Sequence, residues 1–271
     1  MKAMILAAGL GTRMQELTRN TPKPLLPVLG IPLIAHTLFL LHRNGCQFAA
    51  INTHYLGDQL REYLADFPYF QLQFTTESRI LGTGGGIANA ILQTDLSGYF
   101  WVLNPDCIYL PEFSLNEFYP DSSGSRNPDI PSGIPATEHV RTDSPLLFLT
   151  ERPPGSPETG LKFMDSRSAE TGGPALIQFD RQGKFLYTGL ALLHEEQFSD
   201  VAPDLESSVV QDWKQRAGSK LLGYPYAGRI LDVGRKSDYL EIYKDRNAFP
   251  LTYIHELQDF MLRWKGNSTP V

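Results

Sequence analysis

Cysteine is scarce in this 271-residue chain, with only Cys46 and Cys107. Two thiols build neither a disulfide framework nor a cysteine-rich zinc site, and free thiols suit a reducing cytoplasm. Basic residues are also short: 24 Lys and Arg stand against 30 Asp and Glu, a net charge of −6. That balance excludes the broad basic surface that holds nucleic acid, although a local cluster can still bind a phosphorylated small molecule. Long apolar runs are missing too. No stretch reaches the roughly 20 residues needed to span a bilayer. The opening run Met4-Ile5-Leu6-Ala7-Ala8 is too short for a signal peptide, with Arg13 close behind. The expectation is a cytoplasmic protein with no nucleic-acid or membrane partner. At 42% hydrophobic residues the chain can bury a sizeable core, and its length fits one α/β domain.

The first hundred residues alternate between two periodicities. Residues 2–8 read as a buried strand that ends in a glycine-rich turn. Pro32 can open a helix carrying Leu33, Ile34, Leu38 and Leu41, which Gly45 can close. Strands are predicted at 48–52, 72–75 and 99–103, with helices at 58–67 and, after a run of glycines, 87–92. Strands joined by helical crossovers imply a three-layer α/β/α fold with a mostly parallel, mixed, twisted sheet that binds ligands at its carboxyl edge. Residues 119–145 are rich in Pro, Ser, Gly and Asp without apolar period, and read as an irregular insertion. Strand runs resume at 146–149, 175–179 and 185–187, with 180–183 as a hairpin turn between the last two. A helix over 204–216, strands at 220–226 and 229–231, and helices at 237–245 and 253–264 complete the pattern. One domain over 1–271 is expected, with a nucleotide-binding half (1–118), the insertion, and a second half (146–271).

Two constellations carry chemistry. The first is Gly9-Leu10-Gly11-Thr12-Arg13-Met14 followed by Pro22-Lys23-Pro24. Glycines let backbone N–H groups approach phosphate oxygens, Arg13 offers forked donors, and flanking prolines restrict the backbone that aims Lys23. Neither rival phosphate motif fits. The dinucleotide fingerprint needs glycine where Met14 stands, and the P-loop needs Gly-Lys-Ser/Thr there. The second is Asp106 in Leu103-Asn104-Pro105-Asp106 with Asp232 in Ile230-Leu231-Asp232-Val233-Gly234. Carboxylates at two strand ends can converge on magnesium; either alone also reads as a turn residue or helix cap. His36, His42 and His54 show no metal-ligand spacing.

The stretches Leu6-Ala7-Ala8-Gly9-Leu10-Gly11-Thr12-Arg13-Met14 and Pro22-Lys23-Pro24-Leu25-Leu26-Pro27 closely resemble the signature of the sugar-1-phosphate nucleotidyltransferases. The resemblance extends through Asn52-Thr53-His54-Tyr55-Leu56, Glu77, Thr83-Gly84-Gly85-Gly86-Ile87 and Asp106, and resumes at Tyr187-Thr188-Gly189 and Leu231-Asp232-Val233-Gly234. It is strongest to the short bacterial branch with uridylyl- and guanylyltransferases for amino-sugar and mannose 1-phosphates. What it implies is an enzyme, cytoplasmic and serving cell-envelope polysaccharide synthesis, that joins a sugar 1-phosphate to a nucleoside triphosphate (UTP or GTP). It would act as a monomer or small homo-oligomer. Arg13, Lys23 and Asp106 would be catalytic. Leu6, Ala7, Ala8, Gly9, Gly11, Thr12, Arg13, Lys23, Gly84 and Gly85 would hold the nucleotide. Asn52, Glu77, Thr188 and Gly189 would surround the sugar phosphate, and Asp106 with Asp232 would bind Mg2+. The alternative is a non-catalytic, nucleotide-sensing or scaffolding member. Two departures stand out: Pro105 replaces a common glycine, and Glu151-Arg152-Pro153 lies where longer relatives carry a second lysine. Arg152 or Lys162 could substitute for it.

Overall fold

The computed structural model describes residues 1–120, 142–156, 158–165, 174–215 and 221–266. Strand β1 (Lys2–Leu6) leads through a glycine-containing turn to a short hairpin of β2 (Pro27–Val28) and β3 (Ile31–Pro32). Leu29 and Gly30, at φ 54° and 79°, make its two-residue turn, the twist that suits a tight hairpin. Helix α1 (Leu33–Arg43), strand β4 (Phe48–Thr53), helix α2 (Gly57–Leu64), strand β5 (Gln71–Thr76), helix α3 (Gly82–Gln93) and strand β6 (Tyr99–Leu103) follow the predicted alternation. The later elements are β7 (Cys107–Pro111), β8 (Leu146–Glu151), β9 (Gly160–Phe163), β10 (Ala175–Asp180), β11 (Phe185–His194), α4 (Val209–Gln215), β12 (Leu222–Pro225), β13 (Gly228–Asp232), α5 (Lys236–Ile242) and α6 (Leu251–Lys265).

Nine strands form one sheet in the order β5-β4-β1-β6-β11-β8-β12-β10-β9. Its first four strands are parallel, because a helical crossover joins β1 to β4, β4 to β5 and β5 to β6. Beyond β6 the pairing turns largely antiparallel, with only β8 and β12 parallel. Residues alternate between the two faces. Ala3, Ile5, Trp101 and Leu103 pack with α1, α2 and α6, whereas Met4, Phe100 and Val102 pack with α3 and α4. These are the three layers expected, each core closed by apolar burial worth about 1.5–3 kcal/mol per large side chain. No helix among the described residues is long and apolar enough to cross a membrane.

Three expectations need correcting. The turn at 180–183 exists, with Gly183 N–H bonded to the Asp180 carbonyl at 3.0 Å, but it does not join paired strands. Strand β9 pairs with both β10 and β11 and lies between their ends. The helix predicted over 204–216 begins only at Val209 in α4, since the residues before it are held on the start of α3. Of the 119–145 insertion, residues 121–141 lie outside the described residues, and its two borders belong to the folded body. Ser144 is buried, and the Pro145 carbonyl accepts from Leu222 N–H at 3.0 Å. The Tyr119 hydroxyl accepts from Lys2 N–H at 3.0 Å and donates to the Tyr99 carbonyl at 2.5 Å, stitching the starts of β1 and β6. Tyr119→Phe should therefore cost about 1–2 kcal/mol in urea unfolding, the net worth of two hydrogen bonds. An unchanged midpoint would show that this stitch contributes nothing.

Candidate active site

Three chain segments, two near the start of the chain and one distant, meet at the carboxyl end of β1. The first is the turn after β1. Gly11 takes φ 65°, its carbonyl accepts from Met14 N–H at 2.8 Å and from the Thr18 hydroxyl at 2.9 Å, and a short 3-10 helix (Thr12–Thr18) follows. The second is the 3-10 turn at Lys23–Leu25, which carries Lys23 and runs directly into the β2–β3 hairpin. The Tyr239 hydroxyl on α5 donates to the Pro27 carbonyl at 2.8 Å, and Leu29 N–H donates to the Tyr243 carbonyl at 2.8 Å. His36 adds a third tie through Val28 O and the Tyr253 hydroxyl. Burial pushes the His36 imidazole down to about 4, so it is neutral, with one nitrogen donating to Val28 and the other accepting from Tyr253. The third segment is the two-stranded ribbon of β7 and β13, whose register sets Asp232 opposite Cys107. The Asp106 carbonyl accepts from Val233 N–H at 2.9 Å.

This assembly brings both aspartates and both cations together. Lys23 Nζ lies 2.5 Å from Asp106 Oδ2 and donates to the Gly234 carbonyl at 3.1 Å. Asp232 Oδ1 accepts from Gly234 N–H at 2.7 Å. The Arg13 guanidinium passes beside Gly234, where an added Cβ would lie 3.5 Å from Nη2. Segment 232–243 is thus a common frame. It carries Asp232, the carbonyl that holds Lys23, the Tyr239 tie to the hairpin, and Lys236, which pairs with Glu16 of the phosphate turn. Asp232 is open at the cavity mouth, but the surrounding protein removes enough water to push its carboxyl above the usual range. Gly234 N–H opposes that shift and the neighbouring charge of Asp106 adds to it. Burial likewise raises the Cys107 thiol, with further contributions from both aspartates.

A cavity of about 270 Å³ opens from this cluster. Leu6, Arg13, Asp106, Thr188, Gly189 and Asp232, all picked out from the sequence, line it. It also has walls to which the sequence assigned no role: Asn104 and Tyr187, which stand inside the quoted motifs, and Val209, Val210, Trp213 and Glu158, which do not. Tyr187 and Trp213 meet edge to face, with ring centroids 5.5 Å apart. Tyr187 adjoins the quoted Thr188-Gly189, but the α4 side chains carried no signal of their own. A larger cavity, about 550 Å³ between α1, β7 and the start of α6, lies away from both aspartates.

Other expected contacts are placed differently. Asn52 and Glu77 are each 3% exposed. Asn52 Oδ1 accepts from Ala7 N–H at 2.7 Å, and its amide donates to Glu77 Oε1 at 2.6 Å; Glu77 Oε2 accepts from Leu81 N–H at 2.9 Å. They brace the end of β1 against the start of α3 and do not line the cavity. Gly84 and Gly85 are approached by the chain itself. An added Cβ would lie 2.2 Å from Ser207 Oγ and 2.2 Å from the Leu205 carbonyl, respectively. Gly84 N–H donates to the Ser207 carbonyl at 3.0 Å. Ala7 and Ala8 are buried below the phosphate turn, whereas Gly9 and Thr12 are exposed on it. Arg152 donates to the carbonyls of Arg181 and Ser156, and Lys162 pairs with Asp180 at 2.6 Å. Both cations are engaged at the β9–β10 edge, and neither lines the cavity.

The nucleotidyl transferase family model matches residues 2–119. N-acetylmuramate alpha-1-phosphate uridylyltransferase of Neisseria meningitidis is 32% identical over 249 residues, spanning 86% of this chain and 93% of the relative. Its namesake in Caulobacter vibrioides is 29% identical over 241 residues, spanning 86% and 91%. Among solved structures, HddC from Yersinia pseudotuberculosis superposes with a TM-score of 0.66 at 21% identity, covering 90% of this chain and 98% of that one; at that identity it speaks for the fold. Full-length relatives, the matched signature and the layered architecture agree: the chain belongs to the nucleotidyl transferase family, as a sugar-1-phosphate nucleotidyltransferase.

Proposed function

We propose that the cavity binds a nucleoside triphosphate at its charged end and a sugar 1-phosphate beyond it. Arg13, Lys23, Asp106 and Asp232 would carry the reaction. The observation behind this reading is their convergence: Arg13, Asp106 and Asp232 line one cavity, and Lys23 adjoins it through its bonds to Asp106 and the Gly234 carbonyl. The attacking oxygen of a sugar 1-phosphate is already ionised at neutral pH, so the site needs no general base. Its task is to align two anions and offset the charge that crowds the α-phosphorus. Lys23 meets that phosphorus from the hairpin. Arg13 binds the departing pyrophosphate, helped by the N–H groups between Gly9 and Thr12. The Asn52–Glu77 brace keeps the end of β1 in place under those groups.

The donor set fits magnesium. Two carboxylates share one cavity mouth, and no cluster of three or more His, Cys, Asp or Glu stands ready for a metal among the described residues. A hard cation here would therefore complete its shell with phosphate oxygens and water, as magnesium prefers. Asp106 and Asp232 would hold it. It would supply charge neutralisation on the phosphates and a fixed geometry for the leaving group. The cytoplasm, where sugar phosphates and nucleoside triphosphates are made, is the compartment this reading assigns to it.

Which pair of substrates the chain uses is tested by crossing the common triphosphates with hexose and amino-sugar 1-phosphates while measuring pyrophosphate release. UTP with N-acetylmuramate 1-phosphate is the first expectation, since both near-full-length relatives carry that name. GTP with a mannose-type sugar is the second, because a mannose-1-phosphate guanylyltransferase of Mycobacterium tuberculosis matches over 32% of this chain. Nucleotide binding without pyrophosphate release for any pair would point to a sensing protein instead.

A further inference from the structure

The turn after β1 carries a carboxylate next to the groups assigned to an anion. Glu16 follows Arg13 by three residues in the 3-10 stretch Thr12–Thr18 and is exposed. A like charge beside a triphosphate is unfavourable unless a cation covers it. Lys236, the first residue of α5, is that cation and bonds the Glu16 carboxylate. The bond keeps the Glu16 carboxyl below the usual carboxylate range. The chain bends sharply to make this contact. Gln15, between Arg13 and Glu16, takes φ 56° and ψ −125°, a conformation that favours glycine and that other residues keep only where their surroundings fix it. The Thr18 hydroxyl helps to fix it, donating to the Gly11 and Gln15 carbonyls at 2.9 and 3.3 Å.

Helix α5 itself is anchored, since Tyr239 is buried and its hydroxyl donates to the Pro27 carbonyl at 2.8 Å. Just before the helix, the Gly234 carbonyl accepts from Lys23 at 3.1 Å, and a Cβ added to Gly234 would lie 3.5 Å from Arg13 Nη2. Lys236, two residues on, therefore rises from the same short segment that meets Arg13 and Lys23. Its hold on Glu16 is loose. The two side chains are 30% and 55% exposed, and a pair so open to water contributes little. A triphosphate concentrates several negative charges in one place. An ammonium on a flexible four-carbon stem can exchange one carboxylate for phosphate oxygens without moving the helix that bears it.

We propose that Lys236 is a further triphosphate-binding residue: Glu16 holds its ammonium beside the turn in the free enzyme, and the outer phosphates of the nucleotide take it over on binding. This rests on the assignment of the turn to a nucleoside triphosphate. Glu16 is then a placeholder that competes with substrate, and its exposed carboxylate returns to water as the phosphates arrive.

The test is a double-mutant cycle on Glu16→Gln and Lys236→Met. Lys236→Met should raise triphosphate KM about tenfold, the range of one charged hydrogen bond, with kcat and sugar-1-phosphate KM within about twofold. Competitive inhibition by inorganic tripolyphosphate, which carries neither base nor sugar, should weaken by the same factor. Glu16→Gln should leave triphosphate KM unchanged or lower it, because the competitor is gone. In the Glu16→Gln background Lys236→Met should cost at least as much as it does alone. A lysine that merely screens Glu16 gives the opposite, a loss that vanishes once Glu16 is neutral. That result, or a Lys236→Met effect seen in thermal stability and not in tripolyphosphate binding, would overturn the assignment and leave the transferase reading intact. A wild-type enzyme that binds neither tripolyphosphate nor any nucleoside triphosphate would overturn both.

Discussion

Lys23→Ala should lower kcat by about two to three orders of magnitude, the usual cost of one preorganised electrostatic donor, while triphosphate KM moves much less. The ammonium is aimed by a hairpin tied to α5 and to α6 through His36, so its position is set before substrate arrives. Its charge counts most when negative charge crowds the α-phosphorus. The phosphate turn and Arg13 remain in the variant and keep their hold on the outer phosphates. Arg13→Ala should accordingly show more of its effect in triphosphate KM. Lys23→Arg should not restore the rate, since a planar fork does not reproduce a compact ammonium 2.5 Å from Asp106. Lys23 is also the resting counter-ion of Asp106, so removing it should make the protein more dependent on divalent cation for thermal stability. Steady-state kinetics on the three variants decide the issue. An unchanged kcat with raised KM would make Lys23 a ground-state anchor.

The other large effect is expected from Asp106 and Asp232, the carboxylates proposed to hold magnesium. Excess chelator should abolish turnover and magnesium restore it, and Asp232→Asn should lose about a hundredfold or more, given the several kcal/mol a metal supplies. The sign of the accompanying stability change follows from the raised carboxyl of Asp232. A folded-state value above the unfolded one means that this group favours folding below its unfolded pKa, and loses that contribution as pH rises through the folded value. At neutral pH the ionised side chain is therefore a liability in the metal-free protein, which the cation relieves. Asp232→Asn should be at least as stable as wild type without metal, yet gain nothing from magnesium. Activity should fall with acid at a higher pH than an ordinary aspartate would give, as protons compete for the raised carboxyl. Full activity in chelator would remove the metal from the mechanism. A variant that fails to fold would instead assign Asp232 to the 2.7 Å bond from Gly234 N–H.

The elements that position the phosphate chemistry were legible because local signals agree there. An apolar strand ends in glycines, prolines flank Lys23, and each aspartate follows a short apolar run. Tertiary context overrode local preference elsewhere. Helix α3 contains Gly82, Gly84, Gly85 and Gly86 in its first turns, although glycine costs a helix about 1 kcal/mol per residue. The sequence therefore reads as helical only from Ile87. The glycines are required because residues 205–207 lie directly on that turn, a contact between parts of the chain more than a hundred residues apart. Asn52 and Glu77 look like ligand contacts by type, whereas in the fold their polar atoms bond each other and the backbone N–H groups of Ala7 and Leu81. Strand β7 is short and ends in Pro111, so it shows little in sequence, yet its register with β13 sets Asp232 beside Asp106. The α4 wall of the cavity has no local signature because its apolar residues read as ordinary core.

The family match stops at residue 119, but the site does not. Up to that point the chain carries the phosphate turn, Lys23 and Asp106. It lacks Asp232, the Gly234 carbonyl and the α5 tie to the lysine hairpin. Its β6 and β7 edges are completed only by β11 and β13. On the proposed mechanism, catalytic competence would be shared between two stretches of polypeptide that pair through their strands. A chain severed within 121–141 would be silent as separate pieces and regain turnover only on reassociation. That makes the enzyme a candidate for fragment complementation, with pyrophosphate release reporting the reunion of its halves.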